Sequence, residues 1–147
     1  MRTPTELTDL FRARGLKATP QRQCIFQLLE GNETHPTAES VHAAASVVMP
    51  TISLKTVYST LNDLASMGEI HHLDLGTGAS RFDPNVEGHH HLVCTRCGDV
   101  RDVYAAARVR VSDDQLDGFV VDATEVVLRG LCSQCSPSTH HQGAPHG

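Results

Sequence analysis

Four cysteines in two pairs carry the clearest chemistry in the sequence. Cys94 and Cys97, and then Cys132 and Cys135, are each separated by two residues. Thiolate sulfur binds Zn²⁺ tightly in a tetrahedral arrangement, and this spacing lets both sulfurs of a pair reach one ion. Four sulfurs leave no open coordination position, so we predict a structural zinc ion that pins the carboxyl-terminal strand to the central hairpin. The alternative, two redox dithiols, is disfavoured because neither pair lies in a thioredoxin-like context.

Three consecutive histidines just before the first cysteine pair indicate a second, chemically different metal site. His89 and His91 share one face of a predicted strand, whereas His90 points to the other face. Two imidazoles alone hold a metal poorly, so further ligands must come from elsewhere in the chain. The candidates are Asp83, Asp102 and His35. Imidazole and carboxylate ligands in that number suit Fe²⁺ or Mn²⁺ better than Zn²⁺. An ordinary exposed histidine run is the alternative.

The elements that must position these ligands begin with a set of predicted helices. Apolar residues recur at helical spacing, and Thr19, Thr37 and Ser53 can cap the later helices. The helices are predicted over residues 4–14, 20–30, 38–48 and 54–67. A β-hairpin over residues 69–83, turning at Gly76 to Gly78, follows them. The last two helices and the hairpin together outline a winged helix-turn-helix.

The fourth helix carries a polar face that could enter the major groove of DNA. Lys55, Ser59 and Asn62 recur at helical spacing opposite its apolar stripe. The net charge of −5 argues mildly against a nucleic-acid partner. However, five basic residues stand against two acidic ones up to Arg22, so a local basic patch is available. The competing interpretation is that every amphipathic helix has a polar face.

The composition shifts to His, Cys, Val and Asp after Pro84, which predicts a second, small α/β domain. Strands are predicted within residues 92–103, a short helix within 104–118 and two further strands within 119–132. Residues 137–147 lack apolar periodicity and are predicted to be a disordered tail. The histidines of that tail are assigned to solvent rather than to a metal site: His140, His141 and His146. The predicted divisions are therefore 1–83, 84–136 and 137–147, in an α+β fold.

No segment of the sequence has the character of a membrane span or an export signal. Apolar runs stay well short of the roughly 20 residues that cross a bilayer, and residues 1–11 lack the apolar core of a signal peptide. We therefore expect a cytoplasmic protein whose cysteines are reduced. Cys24 lies on the apolar stripe of the second helix, so we assign it to the core rather than to redox chemistry.

Taken together, these motifs resemble the ferric uptake regulator superfamily of metal-dependent bacterial repressors, over about residues 5–136. The resemblance is carried by the segments GLKATPQR, HPTAES, SLKTVYSTLNDLASMGEI, SRFD, HHHLVCTRCGDVRDV and LRGLCSQC. It implies a homodimer with a winged-helix DNA-binding domain and a carboxyl-terminal dimerisation domain. Its partner would be double-stranded operator DNA.

The same resemblance implies two resident metals. The structural zinc would be held by Cys94, Cys97, Cys132 and Cys135, and the regulatory Fe²⁺ or Mn²⁺ by His35, Asp83, His89, His91 and Asp102. Some members carry a third site in the dimerisation domain. Its positions fall here on Gly88, His90, Val109 and Thr124, so we expect that site to be lost or much weakened.

The resemblance is greatest to the peroxide-sensing branch, because Asp occupies positions 83 and 102 where iron-sensing members usually carry Glu. By that analogy His35 and His91 would be oxidised and repression would end. The residues expected to contact DNA are Lys55, Tyr58 and Ser59 on the fourth helix, with Arg14 and Arg22 on phosphates. Three alternatives stand beside this interpretation: an iron- or zinc-availability sensor of the same fold, a zinc hydrolase or deaminase, and a metal buffer.

Overall fold

The computed structural model describes residues 1–106 and 108–137. The chain divides into two compact units, one over Met1–Gly88 and a second that begins at His89. Each unit has its own secondary structure and contributes different candidate ligands. None of the described helices is long and apolar enough to cross a membrane.

The first unit begins with the helices that the sequence predicts. Each starts at a Thr or Ser whose side-chain oxygen accepts a backbone N–H of the first turn, which satisfies an otherwise unpaired donor. The caps are Thr3, Thr19, Thr37 and Ser53, and the helices are α1 (Pro4–Ala13), α2 (Pro20–Leu29), α3 (Ala38–Val48) and α4 (Leu54–Ser66). The predicted helices are therefore confirmed to within one or two residues at each end.

The core of the first unit lies between these helices and is almost entirely apolar. Phe11 of α1 and Phe26 of α2 meet edge to face with ring centroids 4.9 Å apart. Leu61 and Leu64 of α4 are completely buried in the same cluster. Cys24 belongs to this cluster with only 9% of its surface exposed, which confirms its predicted core position.

A two-stranded wing follows α4 and completes the winged helix-turn-helix. Strands β1 (His71–Leu73) and β2 (Arg81–Asp83) pair antiparallel, with His71 opposite Asp83. Phe82 inserts into the helical core and its backbone N–H donates to the carbonyl of Pro36 at 2.8 Å. Because β2 is tied to the segment before α3, the wing fixes Asp83 relative to His35.

The second unit is built on a three-stranded sheet in the order β4-β3-β5. Strands β3 (His90–Cys94) and β4 (Val100–Val103) form an antiparallel hairpin, and β5 (Val127–Gly130) pairs parallel to β3. The prediction that a late strand returns to the central hairpin is thus confirmed. Few apolar side chains are buried among the described residues of this unit; they are Val93, Cys94 and Val100.

The predictions for residues 104–126 are confirmed only in part: a short helix forms within 104–118, but the first of the two predicted strands does not. A helix, α5, covers only Asp113–Leu116, and residues 119–126 form no strand in the described structure. The β-branched residues Val109 and Val111 disfavour an earlier helix start, and Asp117 ends α5 in a left-handed conformation with φ 46°. Val120, 80% exposed, lies in a segment that pairs with no neighbouring strand among the described residues, and a strand needs such a partner for its backbone groups.

Candidate metal centres

The four cysteines of the two pairs converge at one end of the β4-β3-β5 sheet. Their sulfur atoms all lie within 4.8 Å of one another, and Cys97 Sγ is 3.8 Å from Cys132 Sγ. Sulfurs at about 2.3 Å from a central Zn²⁺ in tetrahedral geometry lie about 3.8 Å apart, so the arrangement fits that ion. We call this cluster the four-sulfur site. It matches the sequence prediction residue for residue.

Backbone hydrogen bonds hold the two cysteine turns in place. Gly98 N–H donates to Cys94 O at 2.9 Å with Gly98 at φ 76°, a conformation in which a side chain is strained. Cys135 N–H donates to Cys132 O at 3.0 Å in the second turn. Thr95 N–H donates to Gly130 O at 2.8 Å and so ties the first turn to the end of β5, which leads into the second turn. The site is therefore preorganised by the sheet.

The charges of the four sulfurs call for a cation. The backbone N–H groups of Cys97 and Cys132 lower the pKa of Cys94 to about 6, because they stabilise its thiolate. A hydrogen bond to Cys132, burial and the other sulfurs raise the pKa of Cys135 to about 12. The Cys94 thiol therefore loses its proton readily, whereas the neighbouring sulfurs oppose deprotonation of the Cys135 thiol. A bound divalent cation would remove that opposition.

Three donor atoms of the second unit converge where β3 begins. His89 Nε2 lies 3.1 Å from Asp102 Oδ1 and 3.1 Å from His91 Nε2, and His91 Nε2 lies 3.7 Å from the same oxygen. The β3–β4 register places His91 directly opposite Asp102. Both histidines are nearly fully buried. We call His89, His91 and Asp102 the donor triad.

The spacing within the donor triad is that of ligands around one ion. Two ligands at about 2.1 Å from a metal and at right angles to each other lie about 3.0 Å apart. Two ring nitrogens and a carboxylate oxygen that face one another repel through their lone pairs unless a proton or a cation lies between them. Imidazole with carboxylate favours Fe²⁺, Mn²⁺ or Zn²⁺ over the hard cations Mg²⁺ and Ca²⁺.

A second group of donors lies in the first unit. His35 Nε2 is 3.4 Å from Asp83 Oδ2, and both side chains are almost completely buried. His35 adopts φ 52°, a left-handed conformation that costs a residue with a side chain about 1–2 kcal/mol. Arg81 Nη1 donates to the His35 carbonyl at 2.9 Å and holds that conformation. Backbone strain that the surrounding structure maintains in this way is common at functional sites. We call His35 and Asp83 the donor pair.

Glu125 is a residue of this region that sequence reasoning missed. Its Oε1 lies 2.7 Å from His91 Nδ1, the ring nitrogen on the side away from the donor triad. Only the parallel β3–β5 register brings residue 125 to residue 91, and that register cannot be read from local sequence patterns. Nothing in the sequence around Glu125 signals the contact.

The remaining histidines have other surroundings. His90 Nε2 lies 3.1 Å from Ala105 O, and His90 Nδ1 accepts the Val126 N–H at 3.0 Å, so the ring bridges two backbone segments. His42 Nε2 lies 2.9 Å from Ile52 O, and His71 and His72 are exposed on the wing. Besides the residues already assigned, the described part of the chain shows no other group of three or more potential ligands. The predicted tail histidines lie outside the described residues.

The residues predicted to contact DNA fall into two classes. Lys55, Tyr58 and Ser59 are exposed on α4, and the Tyr58 hydroxyl donates to Glu39 Oε1 at 2.7 Å, which raises the pKa of Tyr58. Arg14 is exposed after α1. Arg22 instead pairs with Asp63 at 3.2 Å and lies over the ring of Phe11, so its guanidinium already has partners within the unit. Its phosphate contact stays a prediction.

Comparison with known proteins agrees with this architecture. The family described as the Ferric uptake regulator family matches residues 13–128. The Peroxide-responsive repressor PerR of Staphylococcus epidermidis is 32% identical over 126 residues, which are 84% of either chain. The structure of the Helicobacter pylori ferric uptake regulator Fur superposes with a TM-score of 0.73 at 20% identity, covering 92% of this chain and 93% of that one. A zinc-bound manganese uptake regulator gives a TM-score of 0.65 at 28% identity, covering 89% and 99%.

Proposed function

The chain belongs to the ferric uptake regulator family, and from that premise we propose that it is a homodimeric, Fe²⁺- or Mn²⁺-dependent repressor that releases operator DNA on exposure to hydrogen peroxide. Membership makes it a metal-responsive regulator. The zinc hydrolase or deaminase considered from the sequence has no support in that family, and the four-sulfur site has no free coordination position for a substrate.

The observation that carries the proposal is the convergence of the donor triad. The three potential metal-ligating atoms of His89, His91 and Asp102 lie 3.1–3.7 Å from one another, as ligands of one ion do. The donor pair adds one imidazole and one carboxylate of the same chemical type. We propose that the pair and the triad bind the same ion. Their two carboxylates would balance its charge, and five nitrogen and oxygen ligands suit Fe²⁺ or Mn²⁺.

The two kinds of site have different tasks in this proposal. Four thiolates hold zinc permanently, and this ion keeps the second unit folded. The imidazole and carboxylate ligands bind their metal reversibly, so occupancy follows its availability. When bound, the regulatory ion supplies a cross-link between ligands of the first unit and ligands of the second. The fold then survives loss of the regulatory ion, whereas the arrangement of the DNA-binding units depends on it.

DNA binding is assigned to α4 of each protomer. Its exposed residues Lys55, Tyr58 and Ser59 would face the major groove, and Arg14 would contact phosphate. A dimer presents two such helices, which must lie about 34 Å apart to reach successive major-groove turns. A few kcal/mol of preference of the metal for that arrangement is enough to switch occupancy of the operator.

Peroxide responsiveness is supported by the carboxylates and by the relatives. Aspartate at positions 83 and 102 is shorter than glutamate and leaves more space beside a bound ion. The S. epidermidis relative is named a peroxide-responsive repressor. We propose that one oxygen atom of H₂O₂ replaces a ring C–H hydrogen of His35 or His91 as a hydroxyl, while the other oxygen leaves as water. The modified ring binds metal poorly, so the regulatory ion is lost and the repressor releases DNA.

A metal-availability sensor of the same fold is the second candidate. It is favoured by the likeness to the zinc-bound manganese uptake regulator and by a donor set that binds several divalent metals. The two candidates differ in one property only. The peroxide sensor is inactivated by oxidant when it holds iron, and the availability sensor is not.

The deciding experiment compares the iron and manganese forms before and after micromolar peroxide. Operator DNA is first selected from a random duplex library with the Mn²⁺-loaded protein, and binding is then followed by gel shift. We expect only the Fe²⁺ form to lose DNA, because only Fe²⁺ readily gives electrons to peroxide. Mass spectrometry should locate one added oxygen on the peptides containing His35 or His91. If the iron form keeps both its DNA and its mass, the availability sensor is the correct function.

A further inference from the structure

The contact between His91 and Glu125 has a direct consequence for the ring of His91. His91 Nδ1 lies 2.7 Å from Glu125 Oε1, while His91 Nε2 faces the donor triad. An ionised carboxylate can only accept a hydrogen bond, so the hydrogen of the neutral ring must lie on Nδ1. Nε2 then keeps its lone pair on the side where a metal would bind.

The backbone around Glu125 is clamped so that this contact forms, although its side chain is about half exposed. His91 N–H donates to Val126 O at 3.1 Å, and Val126 N–H donates to His90 Nδ1 at 3.0 Å. Accepting at Nδ1 leaves the hydrogen of His90 on Nε2, which can donate to Ala105 O at 3.1 Å. Neighbouring residues of β3 thus hold Val126 from both sides, which gives His90 a structural role. Glu125 is fixed next to His91 by its own backbone.

We propose that Glu125 is a positioning residue that fixes His91 in the tautomer and ring orientation needed to bind the regulatory metal through Nε2. This inference rests on the regulatory site of the proposed function and adds a residue to it. A carboxylate behind a ligating imidazole also makes that imidazole a more basic ligand. Removing such a partner typically weakens metal binding by 10–100-fold.

The position of Glu125 also relates the two metal sites within the second unit. Glu125 lies two residues before β5, and Cys132 lies two residues after it. Strand β5 pairs with β3 from His91↔Val127 to Cys94↔Gly130. The four-sulfur site therefore anchors one end of the strand whose other end places Glu125. A zinc ion held there would therefore also stabilise the strand that places Glu125 next to His91.

Three variants of the full chain, each loaded with zinc at the four-sulfur site, test the role of Glu125. Glu125→Ala removes the acceptor, Glu125→Gln keeps an acceptor oxygen without the charge, and Asp122→Asn removes an exposed carboxylate from the same segment. Long-range ¹⁵N–¹H spectra of the imidazoles report the tautomer of His91. They are recorded without regulatory metal, well above the ordinary histidine pKa of about 6.5. Mn²⁺ titration then gives the affinity of each variant.

We expect wild type and Glu125→Gln to show His91 with its hydrogen on Nδ1, and Glu125→Ala to show a mixture of tautomers. Mn²⁺ affinity should fall by about 10–100-fold in Glu125→Ala, fall much less in Glu125→Gln, and stay unchanged in Asp122→Asn. An unchanged tautomer in Glu125→Ala, or an equal loss of affinity in Glu125→Ala and Asp122→Asn, would overturn the proposal. If the wild type itself bound no Mn²⁺, the proposed function would fail, while the spectra would still decide whether Glu125 sets the tautomer.

Discussion

Replacing His91 with alanine is expected to lower the Mn²⁺ affinity of the zinc-loaded protein on the order of 100-fold or more. A ligand contributes at least as much as its outer partner, whose loss alone typically costs 10–100-fold. Replacing Asp83 with alanine should have an effect of the same size, although it lies in the other unit. The reason is that both side chains belong to one coordination sphere in our proposal. Calorimetric or electron-paramagnetic-resonance titration with Mn²⁺ measures the effect directly.

A wing histidine provides the matched control for this prediction. His71 is exposed and is not among the proposed ligands, so His71→Gln should bind Mn²⁺ as the wild type does. Zinc content and thermal stability of all variants should be measured in parallel. If Asp83→Ala binds Mn²⁺ normally while His91→Ala does not, the donor triad binds metal without the donor pair. The proposed cross-link between the units would then be wrong.

Replacing Cys97 with serine is expected to remove zinc and to unfold the second unit. Structural zinc contributes about 10–16 kcal/mol of apparent binding free energy in small domains at pH 7. Apolar packing contributes much less, because the described part of the second unit buries only three apolar residues, Val93, Cys94 and Val100. Elemental analysis should show loss of the zinc. Hydrogen exchange with mass spectrometry should show loss of protection in β3, β4 and β5, with protection retained in α1 to α4.

Cys24→Ala is the control for that experiment. It also removes one cysteine, but from the helical core of the first unit, so zinc and the protection of the β4-β3-β5 sheet should both be retained. A Cys97→Ser protein that kept its sheet protected without zinc would show that the apolar packing is sufficient. That result would contradict the structural role that we assign to the four-sulfur site.

The helical half of the fold was readable from the sequence because its signals are local. Thr or Ser caps, Pro20 at a first helical position and apolar residues at helical spacing all act within a few residues. The wing was readable for the same reason, since Gly76 and Gly78 both adopt positive φ in its turn. In these segments local preference and tertiary packing agree.

The strand predicted within residues 119–126 does not form, because strand formation depends on a distant partner. The β-branched residues Val120 and Val121 predict a strand, but a strand forms only beside another strand. Within the described residues, the late strand of the second unit begins only at Val127, where β3 offers a free edge. Sequence patterns report which residues are apolar, not which edge is available.

The residues of the candidate metal centres also differ in how far the sequence predicts them. The four-sulfur site was predictable because thiolate pairs at this spacing have few other uses in a reduced protein. The donor triad was predictable in its histidines, since His89 and His91 lie two residues apart where β3 begins, and Asp102 follows from the hairpin register. The contact of Glu125 with His91 was not predictable, because it depends on the parallel pairing of β5 with β3 after a long connection.

Control of DNA binding by a reversibly bound ion is tested most directly by measuring the affinity of the zinc-loaded protein for selected operator DNA as free Mn²⁺ is varied. We predict that Mn²⁺ raises this affinity on the order of 10- to 100-fold, the usual size of coupling between two binding sites. The midpoint should coincide with filling of the regulatory site, and His91→Ala should show no rise. Equal affinity with Mn²⁺ and with excess chelator, at intact zinc content, would contradict the claim that a reversibly bound ion controls DNA binding.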